Sequence, residues 1–169
     1  MVEIRKAAPQ DLPELLAIFE RARALMRAAG NPDQWGTSRP SEQTLRADIA
    51  AGNSFVATEN GAIAATFCFF VGEEPTYRTI EDGAWQNDRP YGVIHRIASA
   101  GVTRGAAGSC IKWCLARCGT LRIDTHRDNA SMRQLLQKHG FSYCGVIHLA
   151  DGAARLAFQK INSQELESE

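Results

Sequence analysis

The chain has 169 residues, 44% of them hydrophobic, and its 19 basic residues balance 19 acidic ones. This length supports one domain with a core large enough to need no disulfide or metal. Without a basic run we expect neither nucleic acid nor an anionic membrane as a partner, and without an apolar run of about 20 residues we expect no membrane span and a cytoplasmic protein. We place a single domain at 1–161 and an acidic tail, expected to be frayed, at 162–169.

The first half of the chain predicts two helices and three strands. Apolar residues recur every three to four positions after Pro9 and Asp11, which is typical of the buried face of a helix. Asn60 and Gly61 separate two apolar runs and favour a tight hairpin. The predicted elements are, in chain order, a strand at 2–6, a helix from Pro9 to Gly30, a helix from Ser41 to Gly52, and strands at 54–58 and 62–71.

The second half begins with the most informative pattern of the chain. A buried strand within 91–99 leads into a turn that carries Gly105 and Gly108, and an amphipathic helix through 110–118 follows. The remaining predicted elements are a strand at 121–125, a helix at 129–139, and strands at 141–149 and 155–160.

The turn after Ser99 is a predicted anion site. The first N–H groups of a helix have no intrahelical partner and the helix dipole adds roughly +0.5 charge there, while Gly105 and Gly108 let a phosphate approach the backbone. The dinucleotide pattern would need glycine at Thr103, and the ATP-type pattern would need lysine at Ser109. A phosphate-bearing cofactor of another kind is therefore the first hypothesis.

Two motifs resemble the signatures of the GNAT family of N-acetyltransferases. That family's acetyl-CoA loop reads Gln or Arg, two variable residues, Gly, one variable residue, and Gly or Ala. Gly105, Ala106 and Ala107 match its last three places, and Val102 stands at the first place. Downstream, 129–141 resembles the second signature, an Asn that opens a helix ending in Gly-Phe before a new strand. The resemblance extends over nearly the whole chain in the order of its elements.

The resemblance implies both a fold and an activity. The implied fold is α/β, with a mixed and mostly antiparallel sheet of about seven strands flanked by about four helices. The implied activity is transfer of an acetyl group from acetyl-CoA to a primary amine of a small molecule or peptide. The implied cofactor-binding residues are Ile97, Ala98 and Ser99 for the pantetheine arm, Val102, Thr103, Arg104, Gly105, Ala106, Ala107 and Gly108 for the pyrophosphate, and Asn129.

Two kinds of residue are candidates for the general base. His95 stands two residues before Ile97, where arylalkylamine acetyltransferases carry a proton-relaying histidine, and an ordinary histidine pKa near 6.5 suits neutral pH. The alternative is a histidine packed in the sheet and hydrogen-bonded to a neighbour. Glu73 and Glu74 are the second candidates, although acidic loop residues are more often simply solvated.

The general acid is left open by the sequence. Many relatives carry Tyr four residues before their Gly-Phe, and Leu136 occupies that place here. Either another group such as Tyr143 protonates the leaving thiolate, or the thiolate leaves unaided, since thiols have a pKa near 8.5.

The connection 72–91 is long enough to be functional. Its three aromatic residues, with Trp35 from an earlier loop, are predicted to wall an acceptor pocket, and its acidic residues would favour a cationic amine. The alternative is that the aromatic residues pin a long loop or form a homodimer contact. The predicted substrate-binding residues are Trp35, Tyr77, Trp85 and Tyr91.

The cysteines are predicted to be core residues. Cys110, Cys114 and Cys118 share a helical spacing with neighbouring apolar residues, and C-x-x-C pairs are absent from the sequence. We therefore expect five reduced thiols and no metal.

Two other classes of function compete with the transferase. A non-catalytic acyl-CoA sensor or interaction protein is favoured by Val102 and Leu136, which depart from the family pattern. A dinucleotide-dependent oxidoreductase draws support from Asp124 at the end of a strand, but the glycine pattern and repeated βαβ units of that fold are missing.

Overall fold

A computed structural model describes residues 1–162, so the predicted acidic tail lies outside the described residues except for Asn162. The strands are β1 (Glu3–Lys6), β2 (Ser54–Glu59), β3 (Ala62–Val71), β4 (Gly92–Ser99), β5 (Thr120–Thr125), β6 (Ser142–His148) and β7 (Ala154–Ile161). The α-helices are α1 (Leu12–Ala28), α2 (Glu42–Ala50), α3 (Ala106–Leu115) and α4 (Ala130–Lys138), and 3₁₀ turns lie at Pro9–Asp11 and Pro75–Tyr77. Among these residues no helix is both long and apolar enough to span a membrane.

The seven strands hydrogen-bond in the order β1-β2-β3-β4-β5-β7-β6. Antiparallel pairs are β1 with β2, β2 with β3, β5 with β7 and β6 with β7, whereas β4 and β5 are parallel. The parallel register comprises Gly92 with Leu121 and Val93 with Arg122, and β4 runs on beyond it to Ser99. The predicted α/β fold with a mixed, mostly antiparallel sheet is confirmed.

Local chemistry explains where the early elements begin. Asp11 accepts hydrogen bonds from the Ala8 N–H at 2.7 Å and from both terminal nitrogens of Arg5, and Pro13 fits the first turn of α1. The predicted helix from Pro9 is therefore a 3₁₀ turn followed by α1. Ser41 caps α2 by accepting from the Thr44 N–H at 3.1 Å.

The residues group into two compact units. Unit 1 is Met1–Phe69 with His95–Trp113, and unit 2 is Phe70–Ile94 with the chain from Cys114 onward. The core of unit 1 joins α1, α2, β2 and β4 through Leu12, Leu15, Ile18, Phe19, Leu45, Val56 and Ala98. The core of unit 2 contains Tyr77, Val93, Ile147 and Ala157.

The cysteines follow the predicted helix face only in part. Cys110 and Cys114 in α3 have no exposed surface. Cys118 lies beyond the end of α3, which corrects the predicted three-cysteine helix face, because the helix stops at Leu115 and the chain turns toward β5. No disulfide joins the five cysteines, all of which are among the described residues, and burial raises the pKa of Cys68 and of Cys110 to about 12.

Candidate active site

The second half of β4 carries an unusual backbone conformation. Arg96 has a φ of 51°, in the left-handed region that residues other than glycine seldom adopt. Every other left-handed residue in the described strands is a glycine. The residues around it, His95, Ile97 and Ser99, are half-buried, whereas Ala98 is buried in the core of unit 1. We call the left-handed residue Arg96 the bend in β4, and the predicted thioester-binding stretch begins directly after it.

An ion pair holds the side chain at this bend. The Arg96 guanidinium donates from Nε and from one terminal nitrogen to the two carboxylate oxygens of Asp48 on α2, each at 2.8 Å. The two side chains are 26% and 15% exposed, so the pair is mostly shielded from solvent. Cys68 of β3 interacts with both charged groups, but burial raises its pKa to about 12, and it is therefore no nucleophile at neutral pH.

The turn after β4 is fixed by its own polar groups. Ser99 Oγ accepts from the Gly101 N–H at 3.1 Å, and the Ala100 N–H donates to the Ala64 carbonyl at 2.8 Å. The Thr103 hydroxyl donates to Glu59 at 2.6 Å, and this hydrogen bond lowers the pKa of that carboxyl. The hydroxyl of Thr103 is therefore engaged with protein, which leaves its backbone as the part suited to the predicted cofactor role.

Gly105 gives the turn an open backbone surface. Its φ is 78°, and a Cβ built there would have no atom within 4 Å, so glycine is favoured by conformation and space remains above it. The Ser109 N–H donates to the Gly105 carbonyl at 3.1 Å. The N–H groups before Ser109 open α3 and have no partner within the helix, which suits them to an anion.

A cation also lies against this turn. The Arg21 guanidinium of α1 occupies the space where a Cβ of Gly101 would stand, and the φ of Gly101 is 76°. Arg104 and Val102 in the same turn are exposed. The turn therefore combines two left-handed glycines with a nearby positive charge, which is chemistry suited to phosphate.

The predicted acceptor residues divide between the two units. Trp35 belongs to unit 1, where its ring lies 5.4 Å edge-on from Phe19 and packs on the core. Tyr77, Trp85 and Tyr91 belong to unit 2, as do Glu73 and Asn129. The predicted thioester and pyrophosphate residues all lie in unit 1.

In unit 2 the aromatic residues support the long connection from within. Tyr77 is 1% exposed and its hydroxyl donates to Asp124 at 2.6 Å, while the Trp85 indole N–H donates to the Tyr77 carbonyl at 2.8 Å. Burial and then the Asp124 carboxylate raise the pKa of Tyr77 well above its usual range. A buried, engaged tyrosine lines no surface, so the prediction that Tyr77 walls an acceptor pocket is corrected.

A buried arginine completes this arrangement. The Arg122 guanidinium lies 4.3 Å from the ring centroid of Trp85 and 4.0 Å from that of Tyr91, and it donates to the Asn87 carbonyl at 2.7 Å. Its Nε is buried and, among the described residues, has no hydrogen-bond partner. Burial lowers the pKa of this guanidinium.

Backbone and amide contacts pin the same connection to β6 and β7. Glu81 and Val146 exchange two backbone hydrogen bonds of 2.8 Å. The side chain of Gln159, which has no exposed surface, accepts from the Gln86 N–H at 2.9 Å and donates to Asn87. The connection is therefore an ordered part of unit 2.

The remaining predicted residues have defined local roles. Glu73 is exposed and pairs with Arg78 at 2.7 Å, and this hydrogen bond lowers the pKa of Glu73, which weakens it as a base. Asn129 caps α4 by accepting from the Met132 N–H at 3.0 Å. Leu136 has no exposed surface and offers no proton. Of the candidate bases, His95 lies closest in sequence to the bend at Arg96.

Comparison with solved structures finds an acetyltransferase of the GNAT family from Streptococcus agalactiae. It is 32% identical to this chain, with a TM-score of 0.88, and the match covers 96% of each chain. The chain belongs to the GNAT family of acetyltransferases. The resemblance read from Gly105 and Asn129 is thereby confirmed at the level of the family.

Two further matches to this GNAT chain show the fold alone. The ribosomal-protein-alanine N-acetyltransferase from Brucella melitensis is 20% identical with a TM-score of 0.61, over 94% of this chain and 99% of that one. The NatC complex bound to Gag peptide and CoA contains a chain that is 10% identical with a TM-score of 0.64, over 96% and 99%. Neither the protein-family models nor the curated proteins compared with the chain match it.

The sequence did not reveal the pair of Asp48 and Arg96 or the stacking of Arg122. The first pair is separated by 48 positions, and arginine, a good helix former, gives no sign of a left-handed conformation within a strand. The stacking of Arg122 had one available signal in the sequence, which is a basic residue inside a buried strand.

Proposed function

We propose that the protein transfers the acetyl group of acetyl-CoA to a primary amine. The observation that carries this proposal is the turn at Gly105, whose backbone is accessible and which lies between β4 and the start of α3. The chain that contains this turn belongs to the GNAT family of acetyltransferases. A turn of this kind binds the pyrophosphate through backbone N–H groups. Its open space fits a ligand that approaches the backbone closely.

The cofactor would be held by the two consecutive parts of unit 1. The backbone of Ile97, Ala98 and Ser99 would pair with the pantetheine arm, and the turn 102–108 would bind the pyrophosphate. Acetyl-CoA supplies a thioester, whose carbonyl carbon forms a bond to the amine nitrogen as its bond to sulfur breaks. A backbone N–H of β4 would stabilise the negative charge that develops on the carbonyl oxygen.

We assign His95 the role of general base, directly or through water. An alkylammonium has a pKa near 10, so the acceptor must lose a proton before its nitrogen can attack. His95 is half-buried on β4, one residue before the bend, whereas Glu73 is exposed and paired with Arg78. With leucine at position 136, the CoA sulfur would leave as a thiolate or take its proton from another group.

The acceptor is proposed as a small-molecule or peptide amine. The Brucella relative is named for the alanine of a ribosomal protein, which is a peptide amine, but its 20% identity carries only the fold. Because Tyr77 is buried, the acceptor would contact other parts of the protein.

The test of cofactor binding uses two glycines of matched geometry. Gly105 and Gly152 have φ values of 78° and 88°, and neither has an atom within 4 Å of a built Cβ. Gly105→Glu should abolish the rise in melting temperature that acetyl-CoA causes, because a carboxylate would repel the pyrophosphate. Gly152→Glu carries the same backbone strain in the β6–β7 turn and should keep that rise. A folded Gly105→Glu protein with native acetyl-CoA affinity would contradict the proposal.

Turnover separates the enzyme from the sensor. Thiol release from acetyl-CoA should be observed with at least one member of a panel of polyamines, aryl amines, amino acids, aminoglycosides and peptides with free N-termini. Tight acetyl-CoA binding with no release on any amine would favour the non-catalytic acyl-CoA sensor.

A further inference from the structure

The bend at Arg96 requires an explanation beyond the packing of a strand. A residue that has a Cβ is strained when its backbone lies in the left-handed region, and such residues persist where the surrounding structure holds them. Its φ of 51° interrupts β4 between His95 and Ile97. The strained residue directly precedes Ile97, the first residue of the stretch that is proposed to hold the thioester.

The Arg96 side chain is held by an ion pair and also interacts with Cys68 of β3. Two parallel hydrogen bonds of 2.8 Å fix the guanidinium to Asp48, and this bidentate geometry restricts the arginine more than a single contact would. Asp48 lies three residues after Leu45 on α2, on the face that Leu45 anchors in the core of unit 1. The carboxylate is therefore presented by a rigid element.

A left-handed residue also changes the direction of the peptide groups that flank it. In an extended strand successive N–H groups point to alternate sides, and a left-handed residue rotates the following peptide out of that alternation. The peptide that follows Arg96 contributes the N–H of Ile97, the first residue of the predicted thioester-binding stretch.

We propose that Asp48 and Arg96 are positioning residues: their ion pair holds β4 in the left-handed bend that directs the backbone N–H groups after Arg96 toward the thioester carbonyl. This inference rests on the proposed acetyl transfer. Neither side chain needs to touch the substrates.

A second ion pair in unit 1 provides a matched control. Arg5 and Asp11 also form two hydrogen bonds, of 2.8 and 3.0 Å, and the Asp11 side chain is 11% exposed compared with 15% for Asp48. Arg5 is not among the described residues with positive φ. Because Asp11 also accepts from the Ala8 N–H, Asp11→Ala removes at least as many hydrogen bonds as Asp48→Ala without releasing a bend.

The experiment compares Arg96→Ala, Arg96→Gly, Asp48→Ala and Asp11→Ala by kcat, KM and CoA affinity. Arg96→Ala and Asp48→Ala should lower kcat by about 10- to 100-fold, which is less than the 10²- to 10³-fold typical of losing an oxyanion donor outright. CoA affinity should fall by a smaller factor than kcat, because the pantetheine stretch follows the bend but the pyrophosphate turn is untouched. Asp11→Ala should lower the melting temperature and leave kcat at its native value.

Glycine at position 96 provides the decisive comparison. Glycine adopts positive φ without strain, so Arg96→Gly should retain a kcat at least about tenfold above that of Arg96→Ala. The double variant Asp48→Ala with Arg96→Gly should be no slower than Arg96→Gly alone. If Arg96→Ala does not fold, Arg96→Lys keeps the charge without the two-bond geometry and should show a smaller loss of kcat in the same direction.

Two results would overturn the inference. One is a native kcat in folded Arg96→Ala or Arg96→Lys enzyme, and the other is an equal loss of kcat in Arg96→Ala and Arg96→Gly. Failure of the proposed function is a separate result, namely no thiol release by the native protein on any amine. Native turnover with insensitive variants would therefore remove the positioning role alone.

Discussion

Two stretches that flank β4 use their polar groups differently. The connection 72–91 before β4 places Tyr77, Trp85 and the Asn87 carbonyl in contacts within unit 2, while Glu73 and Glu81 are exposed. The turn after β4 instead leaves open space beside the backbone of Gly105, directly before α3 begins. Because buried polar groups are normally satisfied within the protein, the buried contacts of the connection indicate structural support, whereas the N–H groups that open α3 have no partner within the helix and suit a ligand. Aromatic composition alone does not distinguish the two.

The largest effect should follow from the residue next to the bend. His95→Ala should lower kcat by about 10²-fold, or about 2.7 kcal/mol in activation free energy, through loss of the general base. Steady-state kinetics over pH 6–9 measure this, and CoA affinity is the control because it should hardly change. A folded His95→Ala enzyme with native kcat and pH profile would make this histidine structural.

The contact between the connection and β6 should be sensitive to one methyl group. A Cβ at Gly145 would stand 2.4 Å from the Glu81 carbonyl oxygen, so Gly145→Ala should lower the free energy of unfolding by about 2 kcal/mol. Gly152 also has a positive φ, 88° compared with 146° at Gly145, but open space around a built Cβ, so Gly152→Ala should cost less than half of that. Urea unfolding measures both variants, and equal costs would mean that the loop moves aside.

The hydroxyl of Tyr77 should contribute to stability and not to acceptor binding. Tyr77→Phe removes a 2.6 Å hydrogen bond to Asp124 and should cost about 1.5 kcal/mol, as is usual for a hydrogen bond to a charged group. The KM for the best acceptor should stay at its native value. A raised KM with unchanged stability would restore the connection as a wall of the acceptor pocket.

The smallest effect concerns alkaline pH. Burial raises the pKa of Cys110 from 9.0 to about 12, so the stability it contributes is complete well below pH 9 and is lost as pH rises toward 12. At pH 9 this loss is about 0.4 kcal/mol for one thiol. Cys110→Ala should reduce the difference in unfolding free energy between pH 7 and pH 9 by that amount. An unchanged difference would show that the thiol ionises in the folded protein.

The fold could be predicted because its signals are local. Ser41 caps α2 through its own hydroxyl, and the Asn60 and Gly61 turn takes positive φ at both residues, as their types favour. The end of α3 was placed too late because the spacing of Cys118 continues the helical pattern after the backbone has left it.

Within the candidate site, the sequence identifies the glycine turn, and the role of that turn in binding a cofactor stays a prediction. Gly105 is recognisable because few residues other than glycine adopt its left-handed conformation. Asp48 and Arg96 meet through tertiary structure, and neither residue type indicates a bend in a strand. The buried hydroxyl of Tyr77 likewise finds its hydrogen-bond partner in Asp124, which is 47 positions away.

The stacking of Arg122 has a consequence for the response of the protein to ionic strength. Dissolved salt weakens attraction between exposed charges, but it acts little on a buried cation held by ring faces and a carbonyl. Arg122 is 5% exposed and rests on Trp85 and Tyr91. The exposed pair of Arg46 and Glu42 should therefore weaken in concentrated salt, while the anchor of the long connection keeps its strength from dilute buffer to molar chloride.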